Sequence, residues 1–152
     1  AEALKALGAA HVIVSDEEDA PGRIMTITGG KGERIAFDAV AGQPLAALLS
    51  AMAPRGVVIV YGMLAGYSVE LVLRLLMQSN LALHGFAADR LMKGAADRAR
   101  VVDYIAKGMA SGALKPVIDR TFDITDVAEA HRYLESNAQL GKIVVTTATA
   151  GE

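Results

Sequence analysis

Three apolar runs in this sequence hand over to residues that could serve chemistry. "RIAF" runs into Asp38-Ala39-Val40-Ala41-Gly42, "VVIV" into Tyr61-Gly62-Met63, and "LALH" into Gly85-Phe86-Ala87-Ala88-Asp89. In a parallel α/β sheet, ligands bind at the carboxyl ends of the strands, where these handovers fall. A small residue at each lets a backbone approach a flat ligand closely. The same glycines also read as plain turns, and both readings stand.

Asp38 could be a catalytic acid, a ligand to a sugar hydroxyl or an acceptor capping its own loop. No second acid stands near it in sequence to make a catalytic pair, so capping is favoured. His11, His84 and His131 are far apart, without a metal-binding spacing, and read as structural. His131 falls on the apolar face of its helix and is expected to donate a buried hydrogen bond. The serines lie outside any G-x-S-x-G elbow, which leaves hydrolase chemistry unsupported. "GGKG" (29–32) lacks the phosphate-loop spacing and precedes a strand. Lys142, beside Gly141, could meet a phosphate or simply be a solvated lysine at a strand entrance.

The elements that must position these residues alternate. "EALKALG" reads as a helix end with Leu4 and Leu7 on one face, and "HVIVS" as a buried strand over Val12 to Val14. A helix is expected from about Ala20 to Thr28, a turn at 29–32 and a strand at Ile35 to Val40. Leu45, Leu48, Leu49 and Met52 have helical spacing, with Pro44 in the opening turn. "PRG" punctuates before the β-branched run "VVIV". "SVELVLRLLMQSN" reads as a helix capped by Ser68 and ending near Asn80, and "LALHGF" as a strand. Val101, Val102, Ile105 and Met109 mark another helix, which stops at Gly112. Beyond it, "VIDRTFDI" reads as an irregular extended stretch. "TDVAEAHRYLESN" reads as a helix capped by Thr125 or Asp126, with a capping-box spacing from Asp126 to Glu129. Val127, Ala130, His131 and Leu134 share its inner face. "GKIVVTT" is a final strand, and "ATAGE" a frayed tail. Short apolar strands alternating with helices mean a parallel sheet flanked by helices.

Composition narrows the class of protein. The chain has 152 residues, enough for about one domain, and 53% of them are hydrophobic. Its mean hydropathy is +0.35. A formal net charge of -2 offers no basic field for nucleic acid. The absence of cysteine removes disulfides, a thiolate nucleophile and any sulfur-bound zinc. Glycines and Glu70 interrupt the longest apolar stretches, so no membrane span is expected. A soluble, cytoplasmic chain is the expectation. By themselves, the residues reach a nucleotide-type α/β domain.

The order of "ALKALGAAHVIV", "ITGGKGERIAFDAVAG", "MAPRGVVIVYG", "SGALKPVIDRTFDITDVAEAHRYLES" and "GKIVV" resembles the medium-chain dehydrogenase/reductase superfamily. The likeness is greatest to its zinc-independent quinone oxidoreductase and alcohol dehydrogenase-like branch. It runs from Ala3 to about Thr147. The resemblance implies an incomplete Rossmann-like sheet, strands 3 to 6, over residues 1–112. Residues 113–152 would then be a segment that packs on a GroES-like catalytic domain. In the family's strand order, 3-2-1-4-5-6, "HVIVS" is third and "RIAFDAV" fourth. Two strands, the glycine-rich pyrophosphate turn and the catalytic domain would precede this chain. "HVIVS" would then have to move beside "RIAFDAV", pair with another copy or be held by a separate polypeptide, with an intermolecular solution favoured.

The resemblance further implies a nicotinamide dinucleotide, NADP or NAD with NADPH favoured, lying across the strand ends. Ala39, Val40, Ala41 and Gly42 would line the adenosine-ribose side. Tyr61, Gly62 and Met63 would approach the nicotinamide, Phe86 and Ala88 its carboxamide, and Lys142 the phosphates. "APGRIM" departs from the longer uninterrupted helix of the pattern. The parent enzyme would transfer hydride to or from a small carbonyl, quinone or enone. No catalytic residue and no metal ligand is assigned, and this piece alone is expected to be inactive. A homo-oligomer is expected through the edge near "LALHGF". The alternatives are a non-catalytic dimerisation module and a methyltransferase-like domain that binds S-adenosylmethionine.

Overall fold

The computed structural model describes residues 1–147, and the expected tail "ATAGE" lies outside them. The chain divides into two compact units, residues 1–91 and the part from Met92 onward. In the first unit the elements are α1 (Glu2–Ala6), α2 (Ala20–Ile27), β1 (Glu33–Asp38), α3 (Gly42–Leu49), β2 (Met52–Val60), α4 (Leu73–Ser79), β3 (Ala82–Gly85) and α5 (Ala88–Leu91). The strands form one sheet in the order β1-β2-β3, and both pairings are parallel. The parallel sheet with flanking helices is thus the expected α/β class.

Hydrophobic spacing explains the core. Leu45 and Leu49, one turn apart on α3, are buried with Met52 and with Val58 of the central strand β2, which is fully enclosed. Burying each such side chain contributes about 1.5–3 kcal/mol. Val69 and Leu71 also pack on this cluster, followed by Leu75 and Leu76 of α4. On β1, Ile35 and Phe37 are exposed.

Several sequence expectations are corrected in this unit. Val12 to Val14 are half-buried but form no strand, so the sheet has three of its four expected members. The backbone of Val14 is taken up by a turn instead. Its N–H donates to Glu18 Oε1 at 3.0 Å, and its carbonyl accepts from the amides of Glu17 and Glu18, both at 2.9 Å. Met52 opens β2 instead of closing α3. "PRG" lies within β2, where Glu33 pairs with Met52 but Ile35 with Val57. That irregularity holds Arg55 at φ 63°. Ser68 is not a cap, because α4 begins only at Leu73 after Val72, with no side-chain cap. Val69 and Leu71, two residues apart, both reach the core with extended rather than helical spacing.

The second unit carries α6 (Ala95–Ala110), β4 (Ile118–Asp123), a 3-10 turn (Ile124–Asp126), α7 (Val127–Glu135) and β5 (Lys142–Thr146). β4 and β5 form a separate two-stranded parallel sheet. The "VIDRTFDI" stretch, expected to be irregular and extended, is therefore a paired strand with one register irregularity between Ile118 and Arg120. The cap ahead of α7 also shifts. Asp123 Oδ1 accepts from the Thr125 amide at 2.9 Å and from its hydroxyl at 2.7 Å. Asp126 makes no side-chain cap bond, and Glu129 pairs with Arg132 at 2.9 Å, so the capping box does not form. Of the inner face, Ala130 is buried, while Val127, His131 and Leu134 are exposed.

Candidate functional site

The register of the first sheet levels its strand ends. Asp38 pairs with Val60, and Val60 pairs with Gly85. The three outgoing loops therefore leave side by side, which is what a strand-end site requires. Backbone bonds continue past the strands and tie the loops together. The Tyr61 amide donates to the Asp38 carbonyl and the Phe86 amide to the Val60 carbonyl, each at 2.8 Å. One loop further out, the Ala65 amide donates to the Val40 carbonyl at 2.8 Å and the Leu64 amide to the Ala39 carbonyl at 3.3 Å.

Asp38 holds the first of these loops, as the capping reading expects. Its carboxylate is buried; Oδ1 accepts from the Val40 amide at 3.0 Å, and Oδ2 from the Ala41 amide at 2.9 Å. With both oxygens aimed at its own loop, it turns the chain sharply into α3. Ala41 takes φ 57° there, and Gly42 takes φ 59°. Gly62 answers to close approach: a Cβ on it would stand 2.5 Å from the Ala39 carbonyl oxygen. Gly85 is the opposite case, since a Cβ there would meet nothing within 4 Å.

Two clefts open at these strand ends. One, about 470 Å³, is lined by Val60, Tyr61, Gly62, Met63, Gly85, Phe86, Ala87, Ala88 and Asp89. It brings together Tyr61, Gly62, Met63, Phe86 and Ala88 of the sequence-predicted site. The other, about 320 Å³, is lined by Ala41 and Gly42 with Leu45, Met63, Tyr67 and Ser68, among others. Val60, Met63 and Gly85 are shared by both. Ala39 and Val40 line neither; their carbonyls instead anchor the second loop. Lys142 belongs to the second unit. Its amide donates to the Val117 carbonyl at 2.8 Å, and it lines a groove of about 330 Å³ with His131, Leu134 and Gln139. His131 was expected to donate a buried bond, but its ring is exposed at that groove.

Sequence reasoning singled out Gly85 and Asp89 within the handover after "LALH" without giving either a role, and it missed Val60 and Tyr67 as lining residues. Gly85 carried a usable signal, the small residue at a strand end. Tyr67 carried none, because its place depends on how the loop from Tyr61 to Val72 folds.

A family model described as zinc-binding dehydrogenase matches residues 7–145. A 2-haloacrylate reductase of Burkholderia sp is 26% identical over 147 residues, 95% of this chain and 44% of the relative. The crystal structure of a quinone oxidoreductase of Pseudomonas syringae pv. Tomato DC3000 superposes with TM-score 0.78 at 27% identity, over 93% of this chain and 44% of that one. A crystal structure of a 2-haloacrylate reductase has TM-score 0.83 at 24% identity, over 97% and 47%, a likeness in fold. The chain thus spans less than half the length of these relatives. Zinc does not fit the residues present: the chain has no cysteine, and among the described residues no three His, Asp or Glu side chains gather to hold a metal. The resemblance to the medium-chain dehydrogenase/reductase superfamily is borne out, and the chain belongs to its zinc-binding dehydrogenase family.

Proposed function

We infer that this chain is the cofactor-holding part of an oxidoreductase that moves hydride between a nicotinamide dinucleotide and a small carbonyl, quinone or enone. The observation that carries this reading is the pair of clefts on levelled strand ends, floored by glycine and backbone. The nicotinamide dinucleotide supplies the hydride chemistry when bound. The chain's own residues bind and orient. Tyr61, Gly62, Met63, Phe86 and Ala88 form the wall for the flat nicotinamide end. Ala41 and Gly42 serve the adenosine-ribose side, with Ala41 held by the Asp38 carboxylate and the carbonyls of Ala39 and Val40 anchoring the loop that follows β2. NADPH is favoured over NADH from the family resemblance alone.

The chain contains no Gly-x-Gly-x-x-Gly turn, the usual pyrophosphate cradle. Its affinity alone is therefore expected to be weaker than about 10 μM, roughly -7 kcal/mol, and the chain alone is expected not to turn over. We read residues 1–112 as the partial dinucleotide domain and 113–152 as the segment that packs on a catalytic domain. β3 is an exposed edge strand, which supports a homo-oligomer formed through it; gel filtration with light scattering tests that. No described helix is long and apolar enough to cross a membrane.

Titration with NADPH, NADH and S-adenosylmethionine, followed by amide NMR, tests the reading. The dinucleotides should shift Tyr61, Gly62 and Phe86, while S-adenosylmethionine should not. Gly85→Val fills the cleft without meeting a neighbour at its Cβ, and should abolish those shifts while leaving the rest of the spectrum intact. Shifts that map outside both clefts, or equal shifts with S-adenosylmethionine, would remove the assignment.

A further inference from the structure

The cleft assigned above to the nicotinamide has an uneven charge. Of the described residues that line it, Asp89 alone is charged, and the remaining wall is apolar, glycine or the Tyr61 phenol. The carboxylate lies on α5, the short helix that follows Phe86. Its nearest cation is the neighbouring Arg90, whose Nε lies 3.8 Å from Asp89 Oδ2. Both side chains are largely exposed, 73% for Arg90 and 77% for Asp89, so the pair is loosely held and only partly neutralising. Arg90 itself does not line the cleft.

Oxidised nicotinamide carries a positive charge on its ring, and reduced nicotinamide is neutral. The phosphates of the two forms are the same, so a charge at the ring end of the cleft acts on the difference between them. We propose that Asp89 makes this site discriminate between the redox states of its ligand, holding the oxidised, cationic ring more tightly than the reduced one. The proposal rests on the assignment of the cleft to nicotinamide. Its functional meaning is direct: a site that favours the oxidised form makes the bound reduced form the better hydride donor, as suits a reductase. Unit charges a few ångströms apart in water attract enough to give roughly a two- to fivefold preference. At low ionic strength the expected contribution of Asp89 is therefore about two- to fivefold. It should nearly vanish in about 1 M salt, where the screening length falls to about 3 Å.

The test is the ratio of dissociation constants for NADPH and NADP+ on the full chain, measured by amide NMR titration at low and high salt. Asp89→Asn should lower that ratio by about two- to fivefold at low salt and leave it unchanged at high salt. Arg90→Ala, which frees the carboxylate, should move the ratio the other way. A structural role for Asp89 would weaken both forms equally and would not respond to salt. If both forms bind and the ratio is the same in all three proteins, the inference fails while the cleft assignment stands. If neither form shifts the Tyr61, Gly62 or Phe86 amides, both fail together.

Discussion

Adding one methyl group at either of two glycines should separate the geometry of the site from general effects of glycine replacement. Gly62 and Gly85 follow and end adjacent strands, β2 and β3, and each borders the larger cleft. Neither has the positive φ that would strain an alanine. Replacing a glycine by alanine restricts the unfolded chain at either position, which stabilises by about 0.4–1 kcal/mol. At Gly85 nothing opposes this, since the new Cβ has no atom within 4 Å. At Gly62 the new Cβ would stand 2.5 Å from the Ala39 oxygen and 3.1 Å from the Ala39 carbonyl carbon and Cα. These are backbone atoms, so relief requires the 61–65 loop to move away from the 39–40 loop. That movement strains the bonds from Leu64 to Ala39 and from Ala65 to Val40. Overpacking of this kind costs about 1–3 kcal/mol. Gly85→Ala should therefore be neutral or stabilised, and Gly62→Ala should be the less stable of the two by about 1–3 kcal/mol. Urea unfolding followed by circular dichroism measures the difference as a shift of roughly 1 M in midpoint, for a slope of about 1–3 kcal/mol/M. Equal midpoints for the two variants would refute the claim that the loops touch at Gly62.

Other outcomes follow from the same contacts. Asp38→Ala leaves the Val40 and Ala41 amides without their acceptors and should cost about 1–3 kcal/mol; Asp38→Asn keeps one acceptor oxygen and should cost less, by the same urea assay. Leu45→Ala removes a buried leucine that is 2% exposed and should cost about 2–5 kcal/mol. The amide and hydroxyl of Thr125 hold the Asp123 carboxyl below its ordinary range. Its folded value lies under its unfolded value, so its stabilisation is present above ordinary carboxylate pH and lost as pH falls through the lowered value. Thermal melts from pH 6 down to about pH 2 should therefore show an acid limb that Asp123→Asn flattens. Elemental analysis after dialysis should find no stoichiometric zinc, because the chain has no cysteine and its described residues present no ligand cluster.

What could be read in the sequence, and what could not, divides along a physical line. "RIAF", "VVIV" and "LALH" are short, apolar and β-branched or bulky, and they end in residues that stop a strand. Their identity as β1, β2 and β3 follows from local pattern, whereas the levelling of their ends that puts Gly62 and Gly85 in one cleft is set by the pairing register. "HVIVS" has the same local character and still forms no strand. A strand exists only with a neighbour to accept its hydrogen bonds, and Glu17 and Glu18 instead close a turn on Val14. The start of α4 fails for a related reason. Ser68 is a good cap in isolation, but burial of Val69 and Leu71 on the core holds that stretch extended until Leu73.

The same division explains which site residues were legible. Asp38 announced its role because an acid at the end of a strand can reach the amides of its own loop within three residues, and it does so with both oxygens. Tyr67 and Asp89 reach the clefts through loop and short-helix conformations that no periodicity encodes. Backbone-built parts of these clefts are thus readable from strand ends and small residues, whereas the loop and short-helix side chains that line them are not. Asp89 belongs to the second kind. The glycines and backbone bonds at the strand ends thus set the shape of the cleft, and the charge on its wall comes from α5, an element with no periodic signal.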